Sequence, residues 1–117
     1  QKNGLMTEKN NIIFTEYLQK SESDSAPEKL LFLAVILQAL LDATKPKDKQ
    51  ESETSIIARD QAKAWFFATI GVCCTNFETV CENAGLEPSY VRSFAYKVIK
   101  YKKIKYVRKR INKILNR

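Results

Sequence analysis

Histidine is absent from this 117-residue chain. No imidazole acid or base, Ser-His pair or Cys-His pair can form, and most catalytic zinc sites are excluded. Glycine occurs three times, too sparsely for a loop that cradles phosphate, and neither a GxGxxG string nor a Walker-type string is present. Three cysteines make an odd number without framework spacing, which points to a reducing cytoplasm. Long apolar runs are lacking too. The longest, residues 30–37, is too short to span a bilayer, so no membrane partner is expected. No signal-peptide pattern opens the chain, and Gln1 as first residue fits a fragment or a cloning remnant. Together these absences argue against an enzyme, a resident cofactor or a bound metal.

Acidic residues are missing from one region only. Residues 89–117 carry eleven Lys and Arg and no Asp or Glu, whereas residues 1–88 carry nine basic and thirteen acidic residues. A body of net −4 is thus joined to a tail of +11 within a total of +7. Such a cationic stretch is either a solvated helix or an attractor of polyanions, of which duplex nucleic acid is the commonest in the cytoplasm. It lacks the Trp- and Leu-rich face of helices that lie on membranes. At 13.5 kDa, with 44% hydrophobic and 28% charged residues, the chain fits one soluble domain with an ordinary core.

The hydrophobic spacing reads as helical almost throughout. Residues 11–18 place Ile12, Ile13, Phe14, Tyr17 and Leu18 on one stripe, and residues 21–25 are a polar break. Ser25 and Glu28 fit a capping box with Pro27 in the first turn. Residues 30–41 (LLFLAVILQALL) are apolar on nearly every side, as in a central core helix or half of a dimer interface. A charged, Pro-containing loop follows over 45–53. A further helix is expected over 55–69, with Ile56, Ile57, Ala62, Trp65 and Phe66 inward, then an irregular link over 70–74. No internal repeat is visible.

The strongest local pattern lies between Thr75 and Lys97. Thr75 and Glu78 form a second capping box, which predicts a helix from Asn76. Phe77, Val80, Cys81 and Ala84 share one face, and Gly85 suits a left-handed C-cap. Pro88 then opens a second helix whose buried stripe is Val91, Phe94, Ala95 and Val98. Small Cys81 before the turn and Leu86, Val91 and Phe94 after it match the packing of a helix-turn-helix, or of a purely structural helical hairpin. In the first case Ser89, Tyr90, Arg92, Ser93, Tyr96 and Lys97 form the open face. Arg92 is then placed for a guanine, and Ser89, Ser93 and Tyr96 for phosphates or base edges. Tyr90 and Tyr96 equally suit packing against the domain. Thr75 and Asn76 are expected to seat a phosphate on the first helix.

The string RDQAKAWFF over 59–67 and the string FETVCENAGLEPSYVR over 77–92 resemble a group of small proteins of bacteriophages, prophages and α-proteobacteria. These share an aliphatic helix, an A-x-x-W-[FL] helix and then F-x-x-V-C-x-x-A-G-[LV]-x-P-x-x-V-R. The resemblance covers roughly residues 30–95. It implies a small all-helical DNA-binding protein, usually treated as a transcriptional regulator. Carried over, it makes Cys81, Gly85, Leu86, Pro88 and Val91 scaffold and Arg92 the DNA-contact candidate. Glu87 departs from the pattern, which often has Asp as the helix cap there, and Glu caps less well.

From Tyr96 onward the chain either continues this helix or begins another. Phe94, Val98, Tyr101, Ile104, Val107, Ile111 and Ile114 make one stripe, to be covered by the protein's own core or by a second subunit. Lys97, Lys100, Lys102, Lys103, Lys105, Arg108, Lys109 and Arg110 occupy the remaining arc, where they can meet phosphates. Cys73, Cys74 and Cys81 read as small core residues rather than a metal or redox site, Trp65 as a core anchor, and Asp60, Glu78 and Glu82 as solvated helix positions.

The expectation is therefore one all-α domain over 1–117 of five to six helices, with a helix-turn-helix at about 76–98 and a basic helical tail at about 99–117. Its expected function is duplex DNA binding by a cytoplasmic, nucleoid-associated regulator of bacterial or phage type, as a homodimer. The alternatives are a protein–protein adaptor that docks on RNA polymerase or another transcription factor, and RNA binding, for which few exposed aromatics can be assigned as stacking platforms.

Overall fold

A computed structural model describes residues 27–101 and 104–116. The helix expected over 11–18, the break over 21–25 and the Ser25 cap lie outside them, as do Lys102 and Lys103. The chain forms five α-helices: α1 (Pro27–Ala43), α2 (Glu53–Phe67), α3 (Gly71–Asn83), α4 (Pro88–Tyr101) and α5 (Ile104–Leu115). The fold is all-α, with no strand among the described residues.

The apolar helix α1 is the centre. It packs against α2, α3 and α5, while α4 closes the assembly against α2, α3 and α5. Leu33, Ile36, Leu37, Leu40 and Leu41 are buried. Burial of one such side chain stabilises by about 1.5–3 kcal/mol relative to exposure, so this helix holds much of the core. Its outer strip, Leu31 and Val35, remains exposed.

α2 starts two residues earlier than its periodicity suggests because Ser52 caps it, the Oγ accepting from the Ser55 amide at 3.2 Å. Ala62 and Phe66 are buried and Trp65 half-buried, but Ile56 and Ile57 are 41% and 49% exposed. The inward position between them and Ala62 belongs to Arg59, 5% exposed. Its guanidinium pairs with Glu51 in the preceding loop. A buried charge needs its counter-ion at hand, and that ion lies where the periodicity of the helix cannot show it.

The stretch read as an irregular link is instead the start of α3. Ile70 is its extended N-cap, Gly71 takes a φ of +89°, and the axes of α2 and α3 meet at a bend of 76°. Thr75 therefore lies inside the helix, donating its Oγ to the Gly71 carbonyl at 3.2 Å, and does not cap it. Asn76 accepts a 2.7 Å hydrogen bond from Trp65 Nε1. Neither residue stands at a helix N-terminus, so the phosphate seat expected there is not formed.

The turn into α4 follows the sequence pattern closely. Gly85 has a φ of +78°, and the Leu86 and Gly85 amides donate to the Cys81 and Glu82 carbonyls at 2.9 and 3.0 Å. This is a Schellman ending, which satisfies carbonyls that the helix leaves open. Glu87 occupies the N-cap, its carbonyl accepting from Tyr90 and Val91 and its carboxylate from the Ser89 amide at 3.4 Å. Val91, Phe94, Ala95 and Val98 are buried, as the stripe predicts.

The basic tail packs on its own core. Val107, Ile111 and Ile114 are buried and α5 lies against α1 and α4. Arg108 Nη1 donates to the Leu41 carbonyl, and to Thr44 Oγ1 at 3.1 Å, which closes the C-terminal end of α1. The described side chains of that stripe, Phe94, Val98, Val107, Ile111 and Ile114, are thus covered within the chain.

Candidate nucleic-acid interface

With its apolar stripe buried, α4 turns Ser89, Tyr90, Ser93, Tyr96 and Lys100 to the exterior, with Lys97 half-buried beside them. At 100° per residue these six share an arc of about 120°, one face of the helix. Tyr96 has both of the characters read from the sequence. It is 51% exposed, yet its ring meets Phe67 edge-on at 6.4 Å, and Lys100 Nζ lies 5.3 Å from its centroid. The contact with Phe67 holds one edge of the ring while about half of the residue stays exposed.

Arg92 is not part of this face. Its Nε donates to the Phe66 carbonyl at 2.8 Å and an Nη to the Ala68 carbonyl at 3.4 Å, and the guanidinium stacks 4.7 Å from the Phe77 centroid. The residue expected to read guanine therefore closes the C-terminal end of α2. Arg108 closes that of α1 in the same way. Both ends have no basic residue of their own in the last turn, and each takes a guanidinium from elsewhere in the chain.

The electrostatic pattern changes along α4. Around its first turn, Glu78, Glu82 and Glu87 line a shallow pocket with Ser89 and Arg92, an arrangement that repels phosphate. Toward its C-terminal end stand Lys97 and Lys100, and on α5 Lys109 and Lys113 are exposed and Arg110 half-buried. Among the described cations expected to bind DNA, the fold leaves Lys97, Lys100, Lys109 and Arg110 facing outward in whole or part. The side chain of Lys105 lies outside the described residues. Lys45, Lys47 and Lys63 belong to no motif that marks them as a site in the sequence. The KPK string was visible, but its proximity to α4 is tertiary.

Cys73 is exposed and Cys74 and Cys81 are buried, all three as free thiols. Burial pushes the Cys81 thiol up to about 12, against a smaller lowering by Arg92. Among the described residues no group of three or more Cys, Asp or Glu is placed to hold a metal ion, and no single helix is long and apolar enough to cross a membrane. In comparison with known proteins, no family model matches the chain and no curated protein or solved structure shows detectable similarity to it.

Proposed function

We propose that this chain binds duplex DNA as a small transcriptional regulator, through phosphate contacts from the C-terminal half of α4 and from α5. One observation carries the reading: within the acid-free stretch 89–117, Val91, Phe94, Ala95, Val98, Val107, Ile111 and Ile114 are buried, while Lys97, Lys100, Lys109, Arg110 and Lys113 lie in whole or part on the outer arc. Ser93, Tyr96 and Lys97 are the base-edge candidates, being outward and beyond the acidic first turn. The adaptor reading draws on a different observation. Ile70 and Val72, at the bend between α2 and α3, are 84% and 86% exposed, an apolar corner suited to a protein partner such as RNA polymerase.

Fluorescence anisotropy against a random-sequence duplex library and a single-stranded RNA, titrated with salt, tests the reading. With about four phosphates engaged, affinity for duplex should fall about a hundredfold between 50 and 200 mM salt. Sequencing of the duplexes retained at the higher salt should show an enriched site. Ser93→Ala with Lys97→Ala should then relax that site. Arg92→Ala is unsuitable here, because its effect on the fold would imitate a loss of contact. Duplex binding that enriches no site, or preference for the RNA, would refute the regulator reading.

A further inference from the structure

Lys45 and Lys47 flank Pro46 in the loop after α1, and the fold sets this loop against Lys63 of α2 and Ile99 of α4. With Arg59 in the wall, these residues line a pocket of about 420 Å³ that has no carboxylate in its lining. Among the described residues, Lys45, Lys47 and Lys63 have no carboxylate within ion-pair distance, whereas Arg59 pairs with Glu51. Glu51 holds the two Nη groups of Arg59, but the Arg59 Nε–H is buried and has no acceptor.

Nor do backbone carbonyls compensate the ammonium groups. The Leu40 carbonyl accepts from the Thr44 amide and hydroxyl, Leu41 from Arg108, Asp42 from the Lys45 amide, and Lys45 from Arg59 Nη1. Four carbonyls at this end of α1 thus already accept hydrogen bonds from groups other than the three ammoniums. Three lysines in the wall of one hollow that has no carboxylate in its lining give it a positive potential, which draws an anion. Lysines supply point charges with rotatable donors, which suits the several oxygens of a phosphate group. The apolar walls, Pro46 and Ile99, lower the local dielectric and strengthen the attraction.

We infer that this pocket binds a phosphate group. Ile99 immediately precedes Lys100, so the pocket borders the cationic arc of α4. A backbone phosphate of bound nucleic acid is one source, and this part rests on the proposed function. A free phosphorylated ligand is the other source and does not depend on it.

The test uses the ¹⁵N-labelled full chain, titrated first with pyrophosphate and then with a short duplex, beside the variants Lys45→Gln/Lys47→Gln and Lys63→Gln. Pyrophosphate should shift the amides of Lys45, Lys47, Lys63 and Ile99 saturably, about tenfold more weakly in either variant. The loop variant changes only exposed side chains, which keeps the test open if Lys63→Gln disturbs the fold. If the duplex moves the same amides and the loop variant lowers its salt slope by about 1, the phosphate comes from the backbone. If pyrophosphate moves them and a bound duplex does not, the site serves a free phosphorylated ligand. Saturation by pyrophosphate with no duplex binding would leave the pocket standing and overturn the DNA reading. Absence of any saturable pyrophosphate shift would overturn the pocket, even with duplex bound through α4 and α5.

Discussion

An arginine's charge is visible in the sequence, but what that charge meets is not. Arg92 caps α2, so Arg92→Ala should lower stability by about 1.5–3 kcal/mol, the range for hydrogen bonds to a charged group. Arg92→Lys should recover little of it, since an ammonium cannot reach two carbonyls as a fork does. Urea midpoints decide this, and an unchanged midpoint for the alanine variant would return Arg92 to the candidates for DNA contact. The Glu51–Arg59 pair makes a second prediction at this scale. The hydrogen bond from Arg59 holds the Glu51 carboxyl down at about 2. A group with a depressed folded-state pKa stabilises above its ordinary range and loses that contribution as the pH falls. Stability should therefore decline from about pH 4.5 toward 2, and Glu51→Gln should flatten that limb in thermal melts while lowering stability near neutrality.

Helices and their ends were more legible than the faces they bury. The capping glycine and following proline marked the turn between α3 and α4, because each needs a backbone conformation that few other residues supply. A Cβ at Gly85 would meet only the flexible end of Lys29, at 3.4 Å. Gly85→Ala should thus cost about 1–2 kcal/mol through the positive φ alone, readable as a shift in denaturant midpoint with an unchanged m-value. Thr75 misled for a definite reason. Threonine hydroxyls bond helix carbonyls as readily as they cap, and the Thr-x-x-Glu spacing does not distinguish the two. α5 reads as an appendage by composition but is core by packing. A chain ending at residue 103 removes Val107, Ile111 and Ile114 together with the Arg108 clamp. It should lose its cooperative thermal transition; a sharp melt in the truncated chain would contradict this packing.

At the scale of the whole molecule, the division of charge is the strongest functional signal, and the fold redistributes it. Arg92 and Arg108 turn inward, Glu78, Glu82 and Glu87 gather at the first turn of α4, and Lys45, Lys47 and Lys63 approach its other end. The cationic surface thereby leaves out the start of α4, where the sequence pattern places Arg92 as its base-reading member. Lys109→Gln with Lys113→Gln should reduce the log–log salt slope of duplex binding by about 2 without altering the melting temperature. A slope that does not move would take α5 out of the interface.

By itself the sequence determined the helical class, the apolar centre in α1, the turn at Gly85 and the stripe from Val91 to Val98. Each of these depends on spacing within one helix or on the conformational limits of single residues, and both are written locally. Which strip of α1 stays outside, that Arg59 rather than Ile56 or Ile57 turns inward, and which basic residues face outward were settled by tertiary packing. Those outcomes depend on open carbonyls, counter-ions and apolar surface supplied by distant parts of the chain. A guanidinium goes to the part-buried carbonyls it can reach, because its charged hydrogen bonds satisfy them while part of its own surface stays in solvent.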